Sequence, residues 1–133
     1  MVEAILRPRG IYSLRLTAGI QAFEKHLPEG RWTATVQLGD GRLMVRASCD
    51  QAVAETRFLL ALDDDTSEFH RLFARDPLLG PTVRHLRGMR TRRKATVTHA
   101  VVRAVCGQLI QASRALEIER WIIRACGADP RPR

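Results

Sequence analysis

Hydrophobic and polar residues alternate along the first third of the chain with the period of a strand. Tyr12, Leu14 and Leu16 are apolar against Ser13, Arg15 and Thr17, which predicts a strand with one buried face. Trp32, Ala34, Val36 and Leu38 alternate with Thr33, Thr35 and Gln37, and Leu43, Val45 and Ala47 repeat the pattern after Gly39-Asp40-Gly41. An Asp-Gly step favours a tight turn because glycine adopts positive φ freely and aspartate tolerates it, so residues 31 to 48 are expected to form a hairpin. The stretch 17 to 30, closed by Pro28 and Gly30, fits a short helix or a loop.

From Asp50 the period becomes helical. Asp50 is a good N-cap, and Ala54, Phe58, Ala61 and Leu62 follow at helical spacing, predicting an amphipathic helix over one face of the sheet. Asp63-Asp64-Asp65-Thr66-Ser67 breaks the pattern, and a second helix then places Phe69, Leu72 and Phe73 on one side until Asp76-Pro77 ends it. Leu79, Val83 and Leu86 suggest a further short helix, which Gly88 breaks, and residues 88 to 94 form a basic connector. Val97, Ala100, Val101, Ala104, Val105 and Leu109 make a broad apolar stripe, with Thr98, His99 and Arg103 on other faces. Ser113 is placed to cap the last helix, where Ala115, Ile118, Ile122 and Ala125 share a side and Gly127 and Pro130 close the pattern. The expected fold is α+β: a small antiparallel sheet domain with a covering helix in residues 1–64, then the first helices of an all-α bundle in 65–133. Two such stripes need a larger bundle to bury them, so the helical domain is expected to be truncated.

Composition narrows the function classes. A chain of 133 residues holds one domain, or a small domain and part of another. Hydrophobic residues at 45% and charged residues at 27% argue against disorder. No apolar run approaches the ~20 residues needed to span a bilayer, and the first residues lack a secretory pattern, so no membrane contact and a cytoplasmic location are expected. Cys49, Cys106 and Cys126 are odd in number and far apart, offering neither a disulfide framework nor a metal knuckle; they read as small buried apolar residues, and no metal or cofactor is implied. The cluster Asp63 to Asp65 suits a polar loop better than paired carboxylates for glycoside chemistry.

Charge is the informative feature. Lys and Arg number 22 against 14 Asp and Glu, a net of +8. Between Asp76 and Glu117 there is no acidic residue, while Arg84, Arg87, Arg90, Arg92, Arg93, Lys94, Arg103 and Arg114 supply eight positive charges. With these eight set aside, 14 basic residues of the 22 remain to face 14 acids, so the entire excess sits in one segment. A polyanionic partner accounts for it, as does a solvated surface rich in arginine.

Three runs carry a likeness to a known family: Arg7-Pro8-Arg9-Gly10-Ile11-Tyr12-Ser13-Leu14; Phe69-His70-Arg71-Leu72-Phe73-Ala74-Arg75-Asp76-Pro77-Leu78-Leu79-Gly80; and Val101-Val102-Arg103-Ala104-Val105-Cys106-Gly107-Gln108-Leu109-Ile110. In this order the chain resembles the N-terminal portion of the DNA-3-methyladenine glycosylase II family, within the helix-hairpin-helix superfamily. The resemblance implies a repair enzyme whose helical domains clasp double-stranded DNA, flip an alkylated base from the stack and hydrolyse its N-glycosidic bond as a monomer. In that family the position after Gly-Gln fills the vacated space, which makes Leu109 the wedge here, with Gln108 beside it. On periodicity alone Leu109 is a core residue of the stripe. Arg92, Arg93 and Lys94 are the candidate phosphate contacts, where each neutralised phosphate adds affinity by counterion release. The family's glycine-rich hairpin and catalytic aspartate are expected after residue 133. Asp129 is not that aspartate, and no residue of this chain is expected to be catalytic, so the chain alone should be inactive. The alternative from another class is a non-catalytic DNA-binding or regulatory module with the same fold.

Overall fold

The computed structural model describes residues 1–108 and 111–126, apart from the side chains of Pro28 and Ile123. The fold is α+β, in two compact units: Met1–Leu27 with Arg31–Arg93, and Pro28–Gly30 with Lys94–Arg133. Among the described residues no helix is long and apolar enough to cross a membrane.

The first unit is built on a four-stranded antiparallel sheet of β1 (Val2–Leu6), β2 (Ala22–His26), β3 (Trp32–Gln37) and β4 (Leu43–Ala47), in the order β1-β4-β3-β2. The predicted hairpin is β3 and β4. Its two flanking strands were not in the periodic pattern: β1 is half-buried at best, and β2 occupies the stretch expected to be helix or loop.

The hairpin's buried face differs from the expectation. Pairing of Gln37 with Leu43, Thr35 with Val45 and Thr33 with Ala47 places odd-numbered residues of both strands on one side. Leu43, Val45 and Ala47 are unmistakably core residues, so β3 turns Thr33 and Thr35 inward and leaves Trp32, Ala34 and Val36 on the other face. Helix α2 (Asp50–Leu59) covers the inner face, and Thr56 donates a 2.8 Å hydrogen bond to the Thr33 hydroxyl, while the buried Thr35 hydroxyl has no partner among the described residues. Cys49 rather than Asp50 is the N-cap of α2, and its buried residues are Ala52, Thr56 and Leu59 instead of Ala54 and Phe58, which are exposed.

The expected strand through Tyr12, Leu14 and Leu16 is instead a one-turn helix, α1 (Leu14–Ala18). Ser13 caps it by accepting from the Leu16 N–H, and Gly19 ends it at φ 77°. Helical spacing then buries Leu14 and Thr17 together, one turn apart. Side chain and backbone compete in this segment, and a Ser cap plus a left-handed glycine outweigh an alternation of three residues.

Two short helices follow, α3 (Ser67–Phe73) and α4 (Gly80–His85). Asp76 accepts from the Leu78 and Leu79 N–H groups to close the turn between them, and Gly80 lies so near the Ala74 carbonyl that a Cβ would be 2.8 Å from its oxygen. The expected inward side of α3 is not inward: Phe69 and Leu72 are exposed and Phe73 is half-buried.

The first unit runs beyond the Asp63 break, through Arg93, because the connector is stitched to its start. Ser13 N–H donates to the Gly88 carbonyl at 2.8 Å, and Gly88 has φ 89°, with space for no Cβ against Tyr12 and Ser13. Arg90 is the centre of this seam. Only 5% exposed, it donates through Nη2 to the carbonyls of Arg9 (2.7 Å) and Ile11 (2.9 Å) and through Nη1 to the Thr66 hydroxyl (3.0 Å), while its N–H donates to Thr17 Oγ1 at 3.0 Å. Losing a charged donor set leaves these partly buried acceptors unpaired, at roughly 1–3 kcal/mol for each group fully shielded from water. Arg90→Ala should therefore lower unfolding free energy by about 3 kcal/mol in urea titration; a loss below about 0.5 kcal/mol would show that the seam holds without it.

Candidate nucleic-acid interface

The second unit is a helical pair, α5 (Val97–Cys106) and α6 (Ala112–Cys126). Thr96 caps α5 by accepting from the His99 N–H at 3.1 Å. Ser113, expected as the cap of α6, lies inside its first turn. The apolar stripe of α5, expected to need a larger bundle to bury it, is open: Val97, Val101 and Val105 are 81%, 55% and 63% exposed. The polar residues assigned to other faces meet α6 instead.

Glu119 is the reason. It stands one turn from buried Ala115 and its side chain is only 7% exposed. With the carboxylate ionised, His99 Nε2–H donates to Oε1 at 2.8 Å and Arg103 Nη1 donates to Oε2 at 2.8 Å. Lys94 Nζ stands 3.9 Å from Oε1. His99 and Arg103 are four residues apart on α5 and so share a face, each taking one oxygen of a single carboxylate. Burial disfavours the Glu119 charge, but the hydrogen bonds from His99 and Arg103 and the nearby positive charges of Lys94 and Arg103 outweigh it, holding the group below the ordinary glutamate range. Sequence reasoning gave His99 no role and passed over Glu119. The signal was an acid beside Ile118 and Ile122 on the inward side of one helix, facing a His and an Arg at i and i+4 on its neighbour.

This cluster fixes the end of α5. Gly107 follows the helix, its N–H donating to the Arg103 carbonyl, and Gln108 is exposed immediately after, its N–H donating to the Val105 carbonyl at 3.2 Å. Leu109, the predicted wedge, lies outside the described residues.

The three predicted phosphate contacts separate. Arg92, near the end of the first unit, is exposed and its guanidinium has no hydrogen-bond or ion-pair partner among the described residues. Arg93 donates to Asp64 at 2.6 Å and lies 4.9 Å from the centre of the Phe58 ring, while Lys94 is half-buried beside Glu119. The rest of the basic excess is also largely engaged. Arg84 donates to the Ala74 carbonyl, Arg90 is buried, Arg103 holds Glu119, and Arg114 pairs with Glu117 at 2.9 Å. Of the eight, Arg87 and Arg92 have side chains without such a partner among the described residues.

Cys106 is buried as expected, but Cys49 is half-buried and Cys126, the last residue of α6, is exposed. Among the described residues no three His, Cys, Asp or Glu side chains gather to hold a metal ion. Compared with known proteins, the chain matches no family model, no curated protein and no solved structure.

Because the folded Glu119 is the stronger acid, its ionised form stabilises the helical pair fully above the unfolded value of ~4.3, and that stabilisation is lost as pH falls through the lower folded value. Glu119→Gln should cost about 2 kcal/mol at pH 7. The difference between wild type and variant should shrink to nothing in acid, read from helical circular dichroism in urea at a series of pH values. A gap that persists at the acid end would assign the loss to packing rather than charge.

Proposed function

We propose that this chain is the DNA-engaging front portion of a base-excision glycosylase that removes alkylated bases such as 3-methyladenine. One observation carries the reading: the helix end that presents exposed Gln108, with Leu109 next in the chain, is fastened to its neighbour by His99 and Arg103 sharing the buried Glu119 carboxylate. A residue that enters a duplex must hold its place against bases that would restack, and flipping a nucleotide costs a few kcal/mol, least for a damaged base. A leucine beside an amide meets both needs, because the apolar side chain occupies the gap and the amide braces a base edge by hydrogen bonds.

Two further features agree with this reading. Arg92 is free to meet a phosphate, and the Asp64 pair of Arg93, being exposed, is weak enough to exchange for one. The open valine stripe of α5 suits a helix that the remainder of a glycosylase bundle covers. In the intact enzyme, hydrolysis of the N-glycosidic bond develops positive charge on the sugar, which calls for a carboxylate. The resemblance places that aspartate downstream of this chain, so binding rather than turnover is the property to measure here.

The chain should bind duplex containing an abasic site more tightly than intact duplex, by fluorescence anisotropy. Leu109→Ala should reduce the abasic affinity by about tenfold, the value of burying one leucine in the gap, and leave intact duplex nearly unchanged. Equal losses on both duplexes, or no preference in the wild type, would rule the wedge out.

A further inference from the structure

In the first unit a cleft of about 370 Å³ lies between α3 and α4, and it is lined by Arg71, Arg84 and Arg87 with no acidic side chain among its walls. We infer that this cleft is an anchor for one backbone phosphodiester of DNA, a contact separate from the helix end of the second unit. The inference rests on the DNA-binding reading above.

Three features make it a built site rather than a patch of surface charge. Its wall is rigid, because the buried Arg90 holds the Ile11 carbonyl and the Thr66 hydroxyl, and both residues line the cleft. Arg71 on α3, Arg84 on α4 and Arg87 just after α4 all line it, Gly80 passes close to the Ala74 carbonyl, and no carboxylate belongs to the lining. Arg84 spends one N–H on the Ala74 carbonyl and keeps others free, the Arg87 side chain has no hydrogen-bond or ion-pair partner among the described residues, and Arg71 meets Glu68 only at 3.9 Å across an exposed pair. Such a pair is worth little and yields readily to a phosphate.

The chemistry of the lining selects the ligand. Thr66 Oγ1 accepts from Arg90, which leaves its own proton to donate, while the Ser67 hydroxyl is engaged by the Asp65 carboxylate. Guanidinium forks and a hydroxyl donor match the oxygens of a phosphate. Ile11 and Val83 form an apolar part of the lining, against which a deoxyribose can lie. The volume is at the low end for ligand pockets, large enough for a phosphate and its sugar. No base-reading group is needed, so the contact is independent of sequence and fixes position.

The test is the salt dependence of binding to an intact duplex by the 133-residue chain. Each phosphate neutralised contributes ~0.9 to the slope of log affinity against log salt. Arg71→Gln with Arg87→Gln should lower that slope by about one unit and weaken binding about tenfold at low salt, while the Lys versions of both should restore most of the slope. Arg15→Gln with Arg120→Gln removes the same charge from exposed positions elsewhere and should leave the slope nearly unchanged. If the wild type binds with a steep slope and the cleft variant keeps it, or if both charge-matched variants fall equally, the cleft is not a DNA anchor although the DNA-binding reading stands. If the wild type shows no salt-dependent binding, that reading falls and the anchor with it. Saturation of the cleft by inorganic phosphate, followed by amide shifts at Ser67, with no competition against duplex, would assign it to a free phosphate compound and overturn the proposal.

Discussion

The first unit depends on one buried guanidinium. Arg90 lies 73 to 81 residues from Thr17, Ile11 and Arg9, yet it closes contacts to all three and to Thr66. A charge in this position is costly to desolvate, and three hydrogen bonds from the guanidinium Nη atoms offset part of that cost, with Nε left unpartnered among the described residues. The consequence is geometric. Neither the segment 9–11 nor the approach to α3 has a sheet or long helix to hold it, and Arg90 supplies both with a common anchor. The cleft between α3 and α4 has a fixed wall for that reason.

Partners of the same kind change the meaning of the net charge. A surplus of +8 concentrated in one segment suggests a broad positive face, but six of its eight cations are engaged by partners within the chain. Arg90, Arg103 and Lys94 organise structure, and Arg93 and Arg114 are paired on the surface. What the segment leaves for an outside anion is small and local: Arg92, and Arg84 and Arg87, which join Arg71 at the cleft. Formal charge sets the long-range attraction to a polyanion, whereas these few side chains decide where it settles.

The sequence was legible where one signal acted alone. The turn at Gly39-Asp40-Gly41 has no competitor, and the hairpin follows, with Gly41 at φ 83°. It was misleading where two alternations disagreed. In β3 both Trp32-Ala34-Val36 and Thr33-Thr35 are plausible inner rows, and the choice is made by the register with β4, a non-local fact. At Tyr12 to Leu16 a three-residue alternation lost to a cap and a left-handed glycine that bound the same segment. In α5 the stripe of Val97, Val101 and Val105 was read as apolar and as needing a larger bundle to cover it, and it is open; what periodicity could not see was the carboxylate on another helix that engages the polar face. Of the candidate site, Gln108 and the basic connector were visible as a pattern, and the residues that fix the helix end were not.

The carboxylate that periodicity could not see bears on mechanism. An apolar contact between two helices tolerates sliding and rotation at small cost, since dispersion and burial change gradually with geometry. A carboxylate shared between His99 and Arg103 does not, because each displaced partner leaves a buried charge or donor unsatisfied. Fastening α5 to α6 through Glu119 therefore trades some desolvation energy for a defined orientation of the helix end. A helix end that has to keep a side chain between separated bases needs that resistance to rotation more than it needs added stability. The open valine stripe follows from the same choice: with its polar face committed to α6, α5 can turn its apolar face only away from α6.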